Sequence, residues 1–538
     1  MDTVDHNLVY VDEFDALAID LNVIPPQTTD SFGDLGGLLS DHLALGQWEP
    51  IGGKYPAKEH ARKVAAELGA DHGVIYLVGQ TSQLYEDSDM APEFRQRRYF
   101  FYLSGIDFAN CIVTYEIAQD RLILWIPYTD PRQTLWYGTT PGIDDCKAVS
   151  EVDQVFWVSE LDKYLQGYFT TYPNTTLFAL HAGQVPRLPP GSAPVEIDAI
   201  RLHSAMDAAR VVKTDYEVAL IRRANAVSSE AHRAVLQRLP RLTNEREIEA
   251  LFRAVCTARG ARRQAYPVIA GSGPNAGTLH YEDNDQPLAG RQVVVVDAGC
   301  EWRCYASDVT RTYPLGGYGS AASAVYAVVE CMQEACISRV APGRPFRELH
   351  ALACAVAVRG LLRLGILRGG SVREILDAGT VAAFFPHSLG HHVGLEVHDV
   401  TGRQRLLGLP AGHQSIAEQG RGVPCLGKRE ILSDRTQAFL CRRTAASSEQ
   451  GSDGSQGLEK NMIVTIEPGI YFCRPYIEAY FLEKAIHAKY IDKVVLEKYY
   501  DVGGVRIEDD ILVTEDGYEN LTTAPKGQEA IRSIWRGY

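Results

Sequence analysis

Apolar positions along the chain switch between a helical and an alternating period, and the switches predict the elements. Residues 60–68 carry apolar side chains at helical spacing, and the run Gly73-Val-Ile-Tyr-Leu-Val78 that follows reads as a strand. Residues 110–115 and 121–127 read as two further strands joined by a short polar connection. These segments predict a compact α/β unit over residues 51–200, ending after the Pro-rich stretch Pro186 to Pro194. Thr214-Asp-Tyr-Glu217 then forms a capping box ahead of apolar positions at Leu220, Ala224, Val227 and Ala231. Asn244-Glu-Arg-Glu247 repeats the device before Ile248, Leu251, Phe252 and Val255. A strand at Val293–Val296, helices between Ala321 and Leu367, and strands at Met462–Glu467 and Val505–Val513 complete a second, α+β unit over residues 201–538. From 414 to 457 apolar residues thin out and Ser, Gly and Gln take over, which predicts a surface loop insertion. No internal repeat of short fixed period is present.

Composition narrows the function classes. A chain of 538 residues exceeds what one hydrophobic core usually covers, in line with two units. Residues 1–50 are an acidic extension: positions 1–53 contain ten acidic residues and no Lys or Arg, within a formal net charge of −15. Nucleic-acid binding needs a basic footprint, so it is not expected. A secretory or mitochondrial leader needs basic residues at the N-terminus, and this one has none. No run approaches the roughly 20 apolar residues of a membrane span. The eleven cysteines include no Cys-x-x-Cys pair, Cys300/Cys304 and Cys331/Cys336 being the closest spacings, and read as reduced thiols. The expectation is a soluble, cytoplasmic protein.

Four segments carry chemistry. Val293-Val-Val-Val-Asp297-Ala-Gly299 drives a carboxylate to the end of a buried strand, where a charge needs a partner. Taken alone, Asp297 could equally cap the turn before Gly299. Asp308, in Ser307-Asp308-Val-Thr-Arg-Thr312, lies eleven residues on, a distance that suits a neighbouring strand. The segment His387-Ser-Leu-Gly-His391-His392-Val-Gly-Leu-Glu-Val-His398-Asp399 gathers four of the fifteen histidines, and its glycines favour a loop over a helix. Glu467 lies in Thr465-Ile-Glu467-Pro-Gly-Ile-Tyr471, and Glu508 in Val505-Arg506-Ile-Glu508-Asp-Asp-Ile-Leu-Val513. In one continuous strand Arg506 and Glu508 would share a face and pair with each other; an edge strand with a solvated charged face is the bland alternative. Four carboxylates and one imidazole suit Mn²⁺, with Co²⁺ or Zn²⁺ by availability. Two divalent ions would balance the charge of Asp297, Asp308, Glu467 and Glu508 and activate a water for attack on a carbonyl.

As a set, these motifs resemble the M24B "pita-bread" metallopeptidases, and within them the Xaa-Pro aminopeptidase/prolidase branch in its fungal form. The resemblance covers most of the chain. It implies an aminopeptidase P N-terminal-like domain over residues 51–200 and a pita-bread catalytic domain beyond. It implies that Asp297 chelates one ion and His391 the other, that Asp308 and Glu508 bridge both, and that Glu467 binds one and shuttles the proton. It assigns His280, in Thr278-Leu-His280-Tyr281, and His398 to substrate contact near the scissile bond, and Arg506 to a supporting or substrate-contacting place. A homodimer is also implied. Two departures stand out: Asn461 replaces a Gly usual before the Met of the glutamate strand, and the 414–457 insertion leaves Arg435, Arg442 and Arg443 as candidates for an upstream arginine.

The reaction expected is release of an N-terminal residue when proline follows. The nearest rival is a prolidase restricted to Xaa-Pro dipeptides; methionine aminopeptidase is disfavoured by the long first unit. A metal-free pita-bread binding protein is the alternative of another class, and retention of five ligands speaks against it. Gly271-Ser-Gly-Pro-Asn-Ala-Gly277 lacks the Lys-Ser/Thr of a phosphate loop. The Asn174 and Asn520 glycosylation patterns mean little without a leader.

Overall fold

The computed structural model describes residues 51–188, 194–317, 319–407 and 456–536. The acidic extension, most of the expected insertion, and Arg435, Arg442 and Arg443 lie outside the described residues.

The first unit is a six-stranded mixed sheet. Its strands are β1 (Val74–Val78), β2 (Ile112–Glu116), β3 (Arg121–Ile126), β4 (Gln154–Trp157), β5 (Thr176–Ala179) and β6 (Glu196–Asp198), in the order β4-β3-β2-β1-β5-β6. The β1–β2 and β2–β3 pairs are antiparallel and the outer pairs parallel. The strands alternate large apolar side chains between two cores. On one face Val74, Tyr76, Ile123 and Trp125 pack with Leu161, Leu165 and Phe169 of the helix Leu161–Thr171. On the other, Ile75, Leu77, Val113 and Leu124 join a cluster that runs on into Tyr305, Val393, Leu395 and Ile463 of the second unit. The sheet is thereby welded to the loop that carries the histidines.

Both capping boxes form. The Thr214 hydroxyl accepts the Glu217 amide while the Glu217 carboxylate accepts the Thr214 amide, starting the helix Asp215–Arg238. For the helix Glu245–Ala258 the Asn244 side chain accepts the Arg246 amide while the Glu247 carboxylate accepts the Asn244 amide. Helices Ser320–Ile337 and Phe346–Arg363 pack on each other over the main core. β7 (Ile269–Ser272) lies on the helix Glu245–Ala258, the short hairpin of β9 (Glu301–Trp302) with β10 (Tyr305–Ala306) on the helix Asp215–Arg238, and β8 (Val293–Asp297) and β11 (Thr310–Pro314) extend the sheet from β7. The sheet order is β11-β8-β7, fully antiparallel. A second sheet joins β12 (Ile463–Ile466), β15 (Asp509–Val513) and β16 (Tyr518–Asn520) in the order β12-β15-β16, and β13 (Gly469–Tyr471) pairs with β14 (Gly504–Arg506).

One expected strand is two. Val505–Val513 breaks at Ile507-Glu508, since β14 pairs with β13 whereas β15 pairs with β12. At the break the Ile507 amide donates to the Pro468 carbonyl and the Glu508 amide to that of Thr310. The change of partner turns Glu508 towards β11, and both strands are buried along their whole length, so no charged face meets solvent. At Asn461 the backbone is left-handed, φ 66°, a conformation in which Asn replaces Gly at low cost. The nine cysteines among the described residues are all free thiols. No helix among the described residues is long and apolar enough to cross a membrane.

Candidate metal centre

Register decides what meets at the centre. Thr310 pairs with Asp297 across β11 and β8, so Asp308, two residues before Thr310, stands beside the end of β8. The histidine loop runs alongside β12: the Thr465 amide donates to the His391 carbonyl and the Glu467 amide to that of Leu389, both at 2.9 Å. Two glycines permit these approaches. A Cβ at Gly390 would lie 2.0 Å from the Thr465 carbonyl oxygen, and one at Gly299 1.9 Å from that of Ser307.

The ligand atoms converge. Asp297, Asp308 and Glu508 place a carboxylate oxygen each within 4.8 Å of one another; His391, Glu467 and Glu508 form a second such group, and Asp308, His391 and His398 a third. His391 Nε2 lies 3.4 Å from Asp308 and 3.5 Å from Glu467, while its Nδ1 lies 3.0 Å from the His392 carbonyl oxygen, the partner of an Nδ1–H tautomer. Glu508 accepts from the Thr310 hydroxyl at 2.6 Å. Asp297 accepts from Tyr266 at 2.6 Å and from Arg506 at 2.5 Å.

Arg506 therefore pairs with Asp297 and not with Glu508, the partner expected from a continuous strand. Its Nε donates to Thr310 Oγ1, which in turn donates to Glu508, so the strand break leaves a hydroxyl between the two. Its Nη1 donates to Tyr471 O–H, which hydrogen-bonds His387 Nε2 at 2.9 Å.

The site's electrostatics show the strain of assembled negative charge. Burial, then the carboxylates of Asp308 and Asp297, push Glu467 up to about 8 against the opposing charges of His391 and Arg506. Glu508 is raised well above the carboxylate range by burial and by Asp308, Glu467 and Asp297. Burial works to lower His391, but its hydrogen bond to Asp308 and the charges of Glu467 and Asp308 overcome it and carry the imidazole up to about 9. His398, exposed at the rim with its ring 4.1 Å from that of His391, is pushed down to about 3, first by the His391 charge and then by burial. His280 is exposed, and its charge is felt by both His387 and His398. Four carboxylates held together at the cost of retained protons fit divalent cations, whose charge would replace those protons.

Further residues support the centre without a marked signal in the sequence. Asp510, buried and raised to about 8 by burial and Asp308, accepts the Asp308 amide and the Asn225 side chain through Oδ2, while its Oδ1 has no partner among the described residues. Asp399, next to His398, is held by Arg210 at 2.6 Å and Lys213 at 3.1 Å, tying the histidine loop to the segment that enters the second unit. Tyr266 lies outside every motif; only its place in β7's approach to β8 brings it to Asp297.

Comparison with known proteins agrees with this architecture. The model of metallopeptidase family M24 matches residues 219–515, and that of the aminopeptidase P N-terminal domain residues 57–178. The chain belongs to metallopeptidase family M24. A "Probable Xaa-Pro aminopeptidase" of Colletotrichum graminicola is 55% identical over 99% of this chain and 98% of its own length. One of Metarhizium acridum is 50% identical over 99% of this chain and 100% of its own. Among solved structures, a zinc-substituted Escherichia coli aminopeptidase P in complex with product is 25% identical with a TM-score of 0.68, covering 90% of this chain and 99% of that one. The Pseudomonas aeruginosa aminopeptidase PepP is 26% identical with a TM-score of 0.69, covering 90% of this chain and 98% of that one. The expected fold, an aminopeptidase P N-terminal domain followed by the M24 catalytic domain, is thus the one observed.

Proposed function

We propose that this metallo-exopeptidase hydrolyses the Xaa-Pro bond, releasing the N-terminal residue from peptides with proline in second position. The single observation that carries the reading is the convergence of Asp297, Asp308, His391, Glu467 and Glu508, in a chain whose close relatives are named for this activity. Two divalent ions are the cofactor, with manganese preferred by the oxygen-rich donor set. Asp297 would hold one ion and His391 the other, with Asp308 and Glu508 shared between them; Asp308, Glu508 and His391 each belong to two of the three ligand groups. When bound, the ions lower the pKa of a water and polarise the scissile carbonyl.

The chain's own residues supply the rest. An Xaa-Pro bond is a tertiary amide without an N–H, so recognition must come from the substrate's carbonyl, amine and pyrrolidine ring. Glu467, in one ligand group with His391 and Glu508, takes the proton from the attacking water and passes it to the departing proline nitrogen. His398 and His280, both exposed at the rim, face the substrate carbonyl and its flanking groups. Arg506, fixed between Asp297 and Tyr471, orients the Asp297 carboxylate.

The protein acts in the cytoplasm, a reading supported by its free thiols. It works as a homodimer; the helix Pro131–Tyr137, with Leu135, Trp136 and Tyr137 at 84%, 78% and 87% exposed, offers apolar surface of the kind an interface covers. The deciding assay compares an Xaa-Pro dipeptide with an Xaa-Pro-Yaa tripeptide in the presence of Mn²⁺. Cleavage of the tripeptide is the expected result; dipeptide-only turnover would make the chain a prolidase. No cleavage of either, with no bound metal by elemental analysis, would leave a binding protein.

A further inference from the structure

The helix Glu245–Ala258 begins at a carboxylate with an unusual set of partners. Glu245 is completely buried, yet no cation among the described residues pairs with it. Instead it accepts five hydrogen bonds, all from residues 272–286. Oε1 takes the Ser272 amide at 2.8 Å, the Ser272 hydroxyl at 2.6 Å and the Asn275 side chain at 3.2 Å. Oε2 takes the Tyr281 hydroxyl at 2.8 Å and the Gln286 amide at 3.0 Å. A backbone bond from the Glu245 amide to the Gln286 carbonyl, and another from the Asn244 side chain to the Asp285 carbonyl, close the far end of the segment. At the crest between these anchors stands His280, exposed and adjacent to Tyr281.

A desolvated carboxylate is stable here only because every donor is in place and the helix N-terminus adds its own field. The arrangement is therefore all or nothing. Changing Glu245 to Gln keeps the volume, but in either amide orientation the NH₂ group faces a backbone amide that cannot accept, that of Ser272 or that of Gln286. The segment must then shift, and His280 shifts with it. We propose that Glu245 is a positioning residue: it clamps segment 272–286 and thereby sets where His280 stands. The inference rests on the substrate-facing role given to His280 above.

The test is a double-mutant cycle on the full-length, Mn²⁺-loaded protein with Ala-Pro-Ala as substrate. E245Q should lower kcat/KM by about 10- to 100-fold, the scale of a 1 Å misplacement of a working group. Its metal content by elemental analysis should stay at the wild-type level, since Glu245 touches none of the metal-site carboxylates. Combined with H280A, E245Q should add little beyond H280A alone; a purely structural lesion would multiply with it. Wild-type kcat/KM in E245Q, or multiplicative losses, would overturn the proposal. Should E245Q fail to fold, Y281F removes one donor without touching the helix, and the same cycle with H280A applies. If the wild-type protein cleaves no Xaa-Pro peptide, the proposed function falls while the clamp is still tested. Proton NMR of the His280 imidazole, assigned with H280N, should then show its resonance displaced in Y281F, and an unmoved resonance would refute the clamp.

Discussion

Replacing Arg506 by Ala separates two things that the centre asks of one guanidinium. Arg506 is 4% exposed and donates to Asp297 at 2.5 Å, to Tyr471 at 3.0 Å and to Thr310 at 3.1 Å, while Asp297 is itself 8% exposed. At an effective dielectric of about 20, unit charges ~4 Å apart attract by about 4 kcal/mol, and breaking one partner out of a buried pair typically costs about 3–5 kcal/mol. That cost falls on the metal-free protein, where Glu467 and Glu508 already carry carboxylates whose ionisation their neighbours resist. Bound divalent ions would take over the neutralisation of Asp297, so the metal-loaded variant should lose less. By linkage, the variant then holds its ions no more weakly than the wild type. Turnover should nevertheless fall on the order of 10- to 100-fold, because Asp297 loses the group that orients it. Thermal melts with chelator and with saturating Mn²⁺, at one pH, measure the difference; with chelator the midpoint should drop by roughly 3–7 °C. Equal losses in the two states, or a smaller loss with chelator, would refute the charge argument.

Two further outcomes follow from the same geometry. Glu467→Gln preserves volume but not proton transfer, so kcat should fall on the order of 10²- to 10⁴-fold with the circular-dichroism spectrum unchanged; retained turnover would remove Glu467 from its role. The metal-free protein should also lose stability with rising pH. Glu467 has a folded pKa of about 8 against an ordinary 4.5, so the folded state binds the extra proton and stability declines between those values. Glu508 and Asp510 are raised too and add to the same slope. Below about pH 6.5 the depressed His387 and His398 contribute with the opposite sign, so the fall in chelator melting midpoints should show from pH 7 to pH 8, while the stabilisation by added Mn²⁺ grows; a rising chelator curve in that window would contradict the sign.

Local devices were readable directly from the chain. The capping boxes at Thr214 and Asn244 depend on side chains three residues apart, and they form as the spacing requires. The aliphatic run into Asp297 is likewise self-contained, because four consecutive β-branched residues leave the carboxylate at a buried strand's end whatever packs around it. At Asn461 the chain showed only a departure from the usual Gly, and the left-handed backbone that Asn tolerates came from the structure. Partnership of charges was not readable. Arg506 meets Asp297 across 209 residues, and the neighbour two positions away in the chain is lost to it because β14 and β15 join different strands. Tyr266 and Asp510 reach the centre the same way, through register and not through motif. A hydrogen bond within one turn is fixed by backbone geometry that the sequence carries with it. A buried charge, in contrast, takes whichever partner the packed sheets bring within about 3 Å, and that choice is made only when distant segments assemble.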